Sequence, residues 1–427
     1  MPRLAALFIL CLAGNVSAQR GIEALTLEES VTLAVKNSPA ALAAEQDIII
    51  ARQRMSEARF TYLPQFTLSG TASRVNLAYP SVLGPELGER YLDPLISRNF
   101  YTLRANALQP VYTGGKNANT LKLARTSHNQ ARVNYETVKA DVMLEAKRAF
   151  YTMLYRRRLA EAAGEWLARA EAAVALFKTQ DPAESLENRV LLAGLESRAR
   201  QAASGLETAT TGLLKALNRE PGYQVAADGV LEPLPVKDEV TRCLVTAMES
   251  RSDLKSELYR AQMDEIAVNM AMIRRSPTVY MGASYDISAY RFSELNESSV
   301  RSNNWLASLA IHFPLSYDIW TQVRQRKAQQ RQGELKRVEL QDKIRFEILV
   351  AHKEALFWQR EAEQRKAELE RIKAGYKAAA GAVGRSAAGL RAIGAIAEFE
   401  SGWLEAVYNQ LMSRIRLEWA QGRDLPK

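Results

Sequence analysis

The chain has 427 residues, with 57 Lys or Arg and 48 Asp or Glu, so its formal net charge is +9. Its length allows about two or three ordinary domains. A basic balance can indicate nucleic-acid binding, but here Lys and Arg are interspersed with Asp and Glu along predicted helices. That arrangement favours solvated helix faces, and we expect no nucleic-acid partner.

Residues 1–18 are typical of a secretory signal peptide. Arg3 precedes a long apolar run, and small residues precede a cleavage position after Ala18. Cleavage there would remove Cys11 and leave Cys243 as the single cysteine, so we expect no intramolecular disulfide. No later apolar run is long enough to span a bilayer, and the sequence therefore predicts no membrane-spanning helix in the exported chain.

The first half of the chain combines long helices with two strands. In chain order the patterns predict a helix, a strand, a loop, a second strand, a long helix and a returning helix, over residues 25–59, 66–74, 75–99, 100–109, 116–177 and 185–217. In the second strand, the apolar residues Tyr101 and Leu103 lie on one face, and the polar residues Thr102 and Arg104 lie on the other. At about 1.5 Å per residue, the long helix would extend for roughly 90 Å.

The second half repeats this order. Pro277 takes the place of Pro64, and Pro314 takes the place of Pro110. The predicted elements are strands at 280–287 and 305–313, a polar loop at 288–304, a turn at 381–389 and a returning helix at 390–420. The long helix before that turn has an apolar seam that begins at Ile344. An internal duplication of this kind is the signature of a repeat architecture.

The duplication divides the chain into five segments. We predict a signal peptide at 1–18, a first repeat at 19–217, a linker rich in Pro and Gly at 218–236, a second repeat at 237–420 and a C-terminal tail at 421–427. Each repeat would contribute a helix, two strands, a long helix and a returning helix.

The four predicted strands suit a bilayer, in which tilted strands need roughly 9–11 residues. A separate four-stranded sheet in lipid would leave the backbone groups of its two edges unpaired. Closed barrels begin at about eight strands. We therefore expect several copies of the chain to combine their strands: two copies would give eight and a filled interior, and three would give twelve and a water-filled lumen.

Short motifs recur at corresponding places in the two halves. They are Asn37-Ser38-Pro39, Tyr62-Leu63-Pro64, the stretch from Leu108 to Gly115, Asp253-Leu254, Pro277 and Pro314. In their order, spacing and duplication, the chain resembles the TolC-type outer-membrane efflux proteins over about residues 25–420. It departs from that family at two places. The second strand-to-helix joint lacks paired glycines, and residues 378–392 contain no Asp or Glu, whereas some family members have an acidic ring at that tip.

The resemblance implies a mostly α fold with a four-stranded β segment. Long coiled-coil helices would form a trimeric α-barrel continuous with a shared 12-stranded transmembrane β-barrel. The implied function is a passive exit duct of a tripartite efflux or secretion system, in the Gram-negative outer membrane with a large periplasmic portion. The implied partners are a homotrimer, outer-membrane lipid, a periplasmic adaptor (membrane fusion) protein and an inner-membrane pump. A soluble periplasmic coiled-coil adaptor or scaffold is the alternative.

Four groups of residues are candidates for functional positions. The strand-to-helix joints are Pro64, Pro110, Gly114, Gly115, Pro277 and Pro314, because Pro and Gly interrupt β-ladders. By alternation, the candidate lumen-facing residues are Thr102, Arg104, Asn106, Ser284, Asp286 and Ser308. The candidate periplasmic tips are Asp181, Glu184, Gly381 and Gly384. Aromatic residues near strand ends indicate either an interfacial belt or core packing, and they are Tyr101, Tyr290 and Trp305.

The sequence does not indicate an enzyme. His128, His312 and His352 have no partner at metal-ligand spacing. The segment from Ser252 to Lys255 matches the S-x-x-K pattern of serine acyl-transfer enzymes, but the companion K-T-G and S-D-N elements do not occur. We therefore expect no catalytic residue, no metal and no cofactor.

Overall fold

The computed structural model describes residues 23–78, 95–176, 182–314, 317–383 and 387–423. The predicted signal peptide, Asp181 and Gly384 lie outside these residues. The chain divides into two compact units. The helical unit comprises the described parts of residues 1–43, 136–251 and 343–427, and the sheet unit comprises those of residues 44–135 and 252–342.

The described residues form a mostly helical fold with a minor sheet, as predicted. The helices are α1 (Leu27–Asn37), α2 (Pro39–Phe60), α3 (Lys116–Leu176), α4 (Pro182–Ala216), α5 (Val240–Ser250), α6 (Ser252–Ile273), α7 (Ile319–Val383) and α8 (Ala387–Ala420). The strands are β1 (Glu23–Leu25), β2 (Gln65–Ala78), β3 (Leu95–Tyr112), β4 (Val225–Ala227), β5 (Thr278–Ala289) and β6 (Ser302–His312). A short 3₁₀ helix, Ser293–Asn296, lies between β5 and β6. Within the part of the chain that the structure describes, no helix combines the length and the apolar character that crossing a membrane requires.

Strands β2 and β3 are longer than predicted. The prediction of a loop at residues 75–99 is wrong at both ends, because β2 continues to Ala78 and β3 begins at Leu95. The prediction that Pro110 ends the second strand is also wrong, since β3 continues to Tyr112. The pairing of β3 with β5 shifts between Pro110 and Tyr112. A bulge of this kind accommodates a residue that has no backbone N–H to donate.

The sequence patterns miss a small parallel sheet in the helical unit. Strand β1 pairs with β4, so that Leu25, which was expected to begin the first helix, lies opposite Ala227. Helix α1 begins only after Thr26, whose hydroxyl accepts a hydrogen bond from the Glu29 N–H at 3.3 Å while the Glu29 carboxylate accepts one from the Thr26 N–H at 2.9 Å. The hydrogen bonds that the Glu29 carboxylate accepts from the Thr26 N–H and from the Thr26 hydroxyl lower the pKa of Glu29. Strands of three residues are too short to show a hydrophobic period.

The core of the helical unit lies along the long helices. Phe150, Met153 and Leu154 of α3 pack with Leu213 and Leu217, at and just beyond the end of α4. The predicted seam of α7 is confirmed for six of its members, which are almost completely buried: Ile344, Ile348, Ala351, Ala355, Ala362 and Leu369. Its other predicted members, Trp358, Ile372 and Tyr376, are half-buried.

The joint between β3 and α3 depends on two glycines with left-handed backbone angles. Gly114 has φ of 60° and Gly115 has φ of 91°. The side chain of Asn117 donates to the backbone oxygen of Thr61 at 3.0 Å and so holds the start of α3 against the end of α2. A Cβ added to Gly114 would overlap the Cβ of Ser276. The joint therefore excludes side chains at this position for two independent reasons.

Replacement of Gly114 by Ala should destabilise the protein by about 2 kcal/mol or more, because strain at positive φ adds to the steric overlap. Gly164→Ala is the matched control, since Gly164 lies within α3 with open space around it and Ala is favoured over Gly in helices by about 1 kcal/mol. Thermal unfolding followed by circular dichroism should show a lower Tm for the first variant and an equal or higher Tm for the second. A wild-type Tm for Gly114→Ala would show that the joint tolerates a side chain.

Candidate functional site

The sheet unit contains one antiparallel sheet with the strand order β2-β3-β5-β6. Residues directly opposite each other on neighbouring strands share a face, and the face alternates along each strand. Arg104 of β3 lies opposite Ser69 of β2 and Asp286 of β5, and Asp286 lies opposite Asn304 of β6. The register thus assigns each paired residue of the sheet to one of two faces.

One face, which we call the polar face, carries mainly hydroxyl and amide side chains. Where all four strands are paired, its rows are Thr71, Thr102, Ser288 and Ser302; Ser69, Arg104, Asp286 and Asn304; Thr67, Asn106, Ser284 and Leu306; and Gln65, Leu108, Gly282 and Ser308. The structure brings all six candidate lumen-facing residues together on this face. That the face lines a lumen stays a prediction.

The opposite face, which we call the apolar face, carries aliphatic and aromatic side chains. Its rows in the same part of the sheet are Gly70, Leu103, Ile287 and Asn303; Leu68, Ala105, Tyr285 and Trp305; and Phe66, Ala107, Ala283 and Ala307. Several of its large side chains are exposed, with 77% for Phe66, 73% for Leu68 and 79% for Trp305. A contiguous exposed apolar surface is typical of a region that contacts a membrane or another chain.

Arg104 and Asp286 form an ion pair in the middle of the polar face. The Arg104 Nε donates to Oδ1 of Asp286 at 2.7 Å, and its Nη2 donates to Oδ2 at 3.0 Å. Both carboxylate oxygens are therefore used, in the bidentate geometry that gives the strongest arginine–carboxylate pairs. The ion pair joins β3 of the first predicted repeat to β5 of the second.

Aromatic residues gather where β5 ends. The rings of Tyr101 and Phe292 have centroids 5.8 Å apart, and those of Phe100 and Tyr290 are 5.1 Å apart, both edge to face. Trp305 lies on the apolar face and is largely exposed. Among the belt candidates, Tyr101 and Tyr290 thus pack against other rings, although Tyr290 is still 49% exposed, and Trp305 is the most exposed of the three.

Two of the predicted tip residues are described, and both belong to the helical unit. Glu184 lies half-buried in the first turn of α4, and Gly381 lies in the last turn of α7. Nearby, Arg391 of α8 forms an ion pair with Glu187 of α4 at 2.8 Å. This contact ties the described starts of two helices together. That these residues form the periplasmic tips stays a prediction.

A buried ionic cluster links three helices and is missing from the predicted sites. Glu400 of α8 is 4% exposed, and its carboxylate accepts hydrogen bonds from Trp166 Nε1 of α3 at 2.6 Å and from Lys373 Nζ of α7 at 2.7 Å. The Arg169 guanidinium lies 4.3 Å from the centre of the Trp166 ring. Trp166 and Glu400 are 234 positions apart, so no local pattern indicates their contact.

Cys243 is a buried structural residue of α5. It is 0% exposed, and Gln421 Nε2 donates to its Sγ at 3.0 Å. Burial, together with the nearby Asp238 carboxylate, raises the pKa of the Cys243 thiol. Because the thiolate is the reactive form, this cysteine should be inert near neutral pH.

The structure places two of the remaining sequence candidates, His352 and the S-x-x-K match, on helices. No group of three or more His, Cys, Asp or Glu residues in the described parts of the chain is placed to hold a metal ion. His352 Nε2 lies 2.9 Å from the backbone oxygen of Asp238, which accounts for one of its ring nitrogens. Ser252 and Lys255 of the S-x-x-K match lie in the first turn of α6.

Residues 31–180 match the family model described as "Outer membrane efflux protein". The resemblance to outer-membrane efflux proteins is thereby confirmed. No match was found among curated proteins. Solved structures are similar in fold to most of the chain, including residues outside 31–180.

Three of these structures are outer-membrane proteins of different bacteria. The Campylobacter jejuni CmeC outer membrane channel has a TM-score of 0.78 and 16% identity, over 93% of this chain and 85% of that one. The outer membrane protein VceC of Vibrio cholerae has a TM-score of 0.75 and 14% identity, over 93% and 96%. The open state of the Neisseria gonorrhoeae MtrE outer membrane channel has a TM-score of 0.71 and 15% identity, over 93% and 88%. At these identities the structures show a shared fold.

Loss of the cation from the buried cluster should destabilise the helical unit more than loss of its carboxylate. Lys373→Met leaves Glu400 buried without a cation, which costs about 2–4 kcal/mol, whereas Glu400→Gln frees a Lys373 side chain that is 38% exposed and costs about 1 kcal/mol. Glu398→Gln is the matched control, because its ion pair with Arg198 is exposed and worth less than about 0.5 kcal/mol.

Thermal unfolding should show the largest decrease in Tm for Lys373→Met, a smaller decrease for Glu400→Gln and the smallest for Glu398→Gln. If Lys373→Met unfolds at the same temperature as Glu398→Gln, the cluster does not hold the three helices together.

Proposed function

We propose that the chain is a passive exit duct of the Gram-negative outer membrane, within a tripartite efflux or secretion system. Three copies would pool their strands into one 12-stranded transmembrane barrel, and their long helices would form a periplasmic α-barrel continuous with it. The repeats at 19–217 and 237–420 would each supply two strands and the helices that follow. A periplasmic adaptor would contact the helical tips, and an inner-membrane pump would supply the energy.

The sheet carries this proposal, because it combines a polar face, an exposed apolar face and two outer strands. Among the described strands, β2 and β6 each pair on one side only. In lipid, each unpaired backbone donor or acceptor costs several kcal/mol. Pairing of β6 in one copy with β2 in the next would satisfy these groups. It would also turn the apolar face to lipid and the polar face to water.

The choice of three copies follows from the size of the enclosed space. Barrels of about eight strands are filled by their own side chains, whereas larger barrels leave room for water. The polar face is lined largely by small hydroxyl residues, such as Thr67, Ser69 and Ser284, which suits a wetted wall better than a packed interior. Twelve strands, four from each copy, therefore fit this face better than eight.

The helices provide a further exposed apolar surface. Phe346, Val350 and Phe357 of α7 are 69%, 47% and 58% exposed, and their spacing places them on one side of the helix. In the proposed trimer this stripe would pack against a helix of a neighbouring copy. The alternative, a soluble periplasmic coiled-coil adaptor or scaffold, also accounts for this stripe. It does not account for a sheet with an exposed apolar face.

Extraction should separate the two functions. We expect the protein to sediment with the outer membrane through washes with high salt or alkaline carbonate, and to be released only by detergent, because its apolar face would lie in lipid. A peripheral protein with a known salt-sensitive attachment serves as the control for the washes. Release of this chain together with that control would favour the scaffold.

Cysteine labelling should distinguish the two faces at neighbouring positions. In a Cys243→Ala background, Asn106→Cys and Ser284→Cys lie on the polar face, and Ala105→Cys and Ala283→Cys lie on the apolar face. In proteoliposomes, a water-soluble maleimide should label the first pair roughly tenfold faster, because lipid would cover the second pair.

The four single-cysteine proteins should label to the same extent after denaturation, which controls for intrinsic reactivity. Equal labelling of both faces in proteoliposomes would rule out a lipid-facing sheet.

A further inference from the structure

The fully paired part of the polar face carries one cation and one anion. In the rows where all four described strands are paired, Arg104 and Asp286 are charged and every other residue is neutral. The other residues of their own row are Ser69 and Asn304. The fixed charge of this part of the face therefore depends on a single ion pair.

The register holds the two charges at the same depth in the sheet. Arg104 and Asp286 are directly opposite each other on β3 and β5, and two hydrogen bonds of 2.7 and 3.0 Å join them. Neither charge can move far along the strand without breaking this geometry. At distances beyond a few ångströms, the field of one charge is therefore largely cancelled by that of the other.

We propose that Asp286 sets the ion selectivity of the sheet portion of the duct by neutralising Arg104. This inference rests on the proposed function, because the polar face must line water for its charge to act on solutes. In a homotrimer, unpaired Arg104 residues would form a ring of three positive charges at one depth. Such a ring attracts anions and repels cations. With Asp286 present, that level of the wall is neutral and admits solutes of either charge.

Reversal potentials in planar lipid bilayers under a KCl gradient test this role. Asp286→Asn should raise the chloride-to-potassium permeability ratio by roughly threefold at about 0.1 M salt, where the Debye length is about 10 Å. Arg104→Gln should lower the ratio by a similar factor, because it leaves the carboxylate unpaired. The double variant should return to the wild-type ratio. All shifts should shrink at about 1 M salt, where the Debye length is about 3 Å.

Asn304→Asp is the positive control, since it adds a carboxylate to the same row of the polar face without removing the ion pair. It should lower the chloride-to-potassium ratio. Failure of the wild-type protein to form channels would count against the proposed function itself.

Three outcomes would overturn the inference while leaving a channel in place. The first is a changed chloride-to-potassium permeability ratio in Asn304→Asp but not in Asp286→Asn. The second is an unchanged ratio in both variants, since the polar face would then not line the duct. The third is a shift in Asp286→Asn that the double variant does not reverse, because the effect would then not come from charge balance.

Discussion

The unpaired backbone of the two outer strands is the constraint on which the sheet unit depends. A strand at the edge of a sheet presents a row of donors and acceptors, and proteins that remain monomeric protect such rows with charges, Pro or short strands. Strand β2 has 14 residues with no Pro and a single charged residue, Arg74, and β6 has 11 residues with no Pro and no Asp, Glu, Lys or Arg. Both outer strands alternate in phase with the inner ones, so that a strand added at either edge would extend both faces. These edges are suited to pairing with another copy.

Within the sheet, the pairing of β3 with β5 connects the two repeats. The strand-to-helix joints of the two repeats, which follow β3 and β6, use different turn residues. At the end of β3, Gly114 and Gly115 adopt left-handed angles and Asn117 ties the helix start to Thr61. After β6, Pro314 takes the place of Pro110, and no glycine lies between it and α7. The two repeats thus have the same order of helices and strands. Their turn residues differ, because different residues can provide a backbone conformation that connects a strand to the following helix.

Sequence periodicity predicts features that depend on residues close together in the chain. It misses features that depend on contacts between residues far apart in the chain. The two faces of the sheet were predictable from alternation, and the α7 seam was predictable from steps such as Ile344 to Ile348. The ends of β2 and β3 were not, because Ala78 and Leu95 are held in strands by pairing with each other. The Trp166–Glu400 contact was not predictable for the same reason, since it joins residues from opposite halves of the chain.

Two ion pairs with the same 2.7 Å separation have different consequences because their burial differs. The Glu400 side chain is 5% exposed, so its partner Lys373 offsets a large desolvation cost, and the pair matters for stability. Arg104 is 52% exposed and Asp286 is 19% exposed, so solvent weakens their attraction and the pair contributes less to stability than the Lys373–Glu400 pair, despite its bidentate geometry. The Arg104–Asp286 pair instead controls the electrostatic field above the polar face. The charge of the proposed wall is therefore open to change by substitution without loss of the fold.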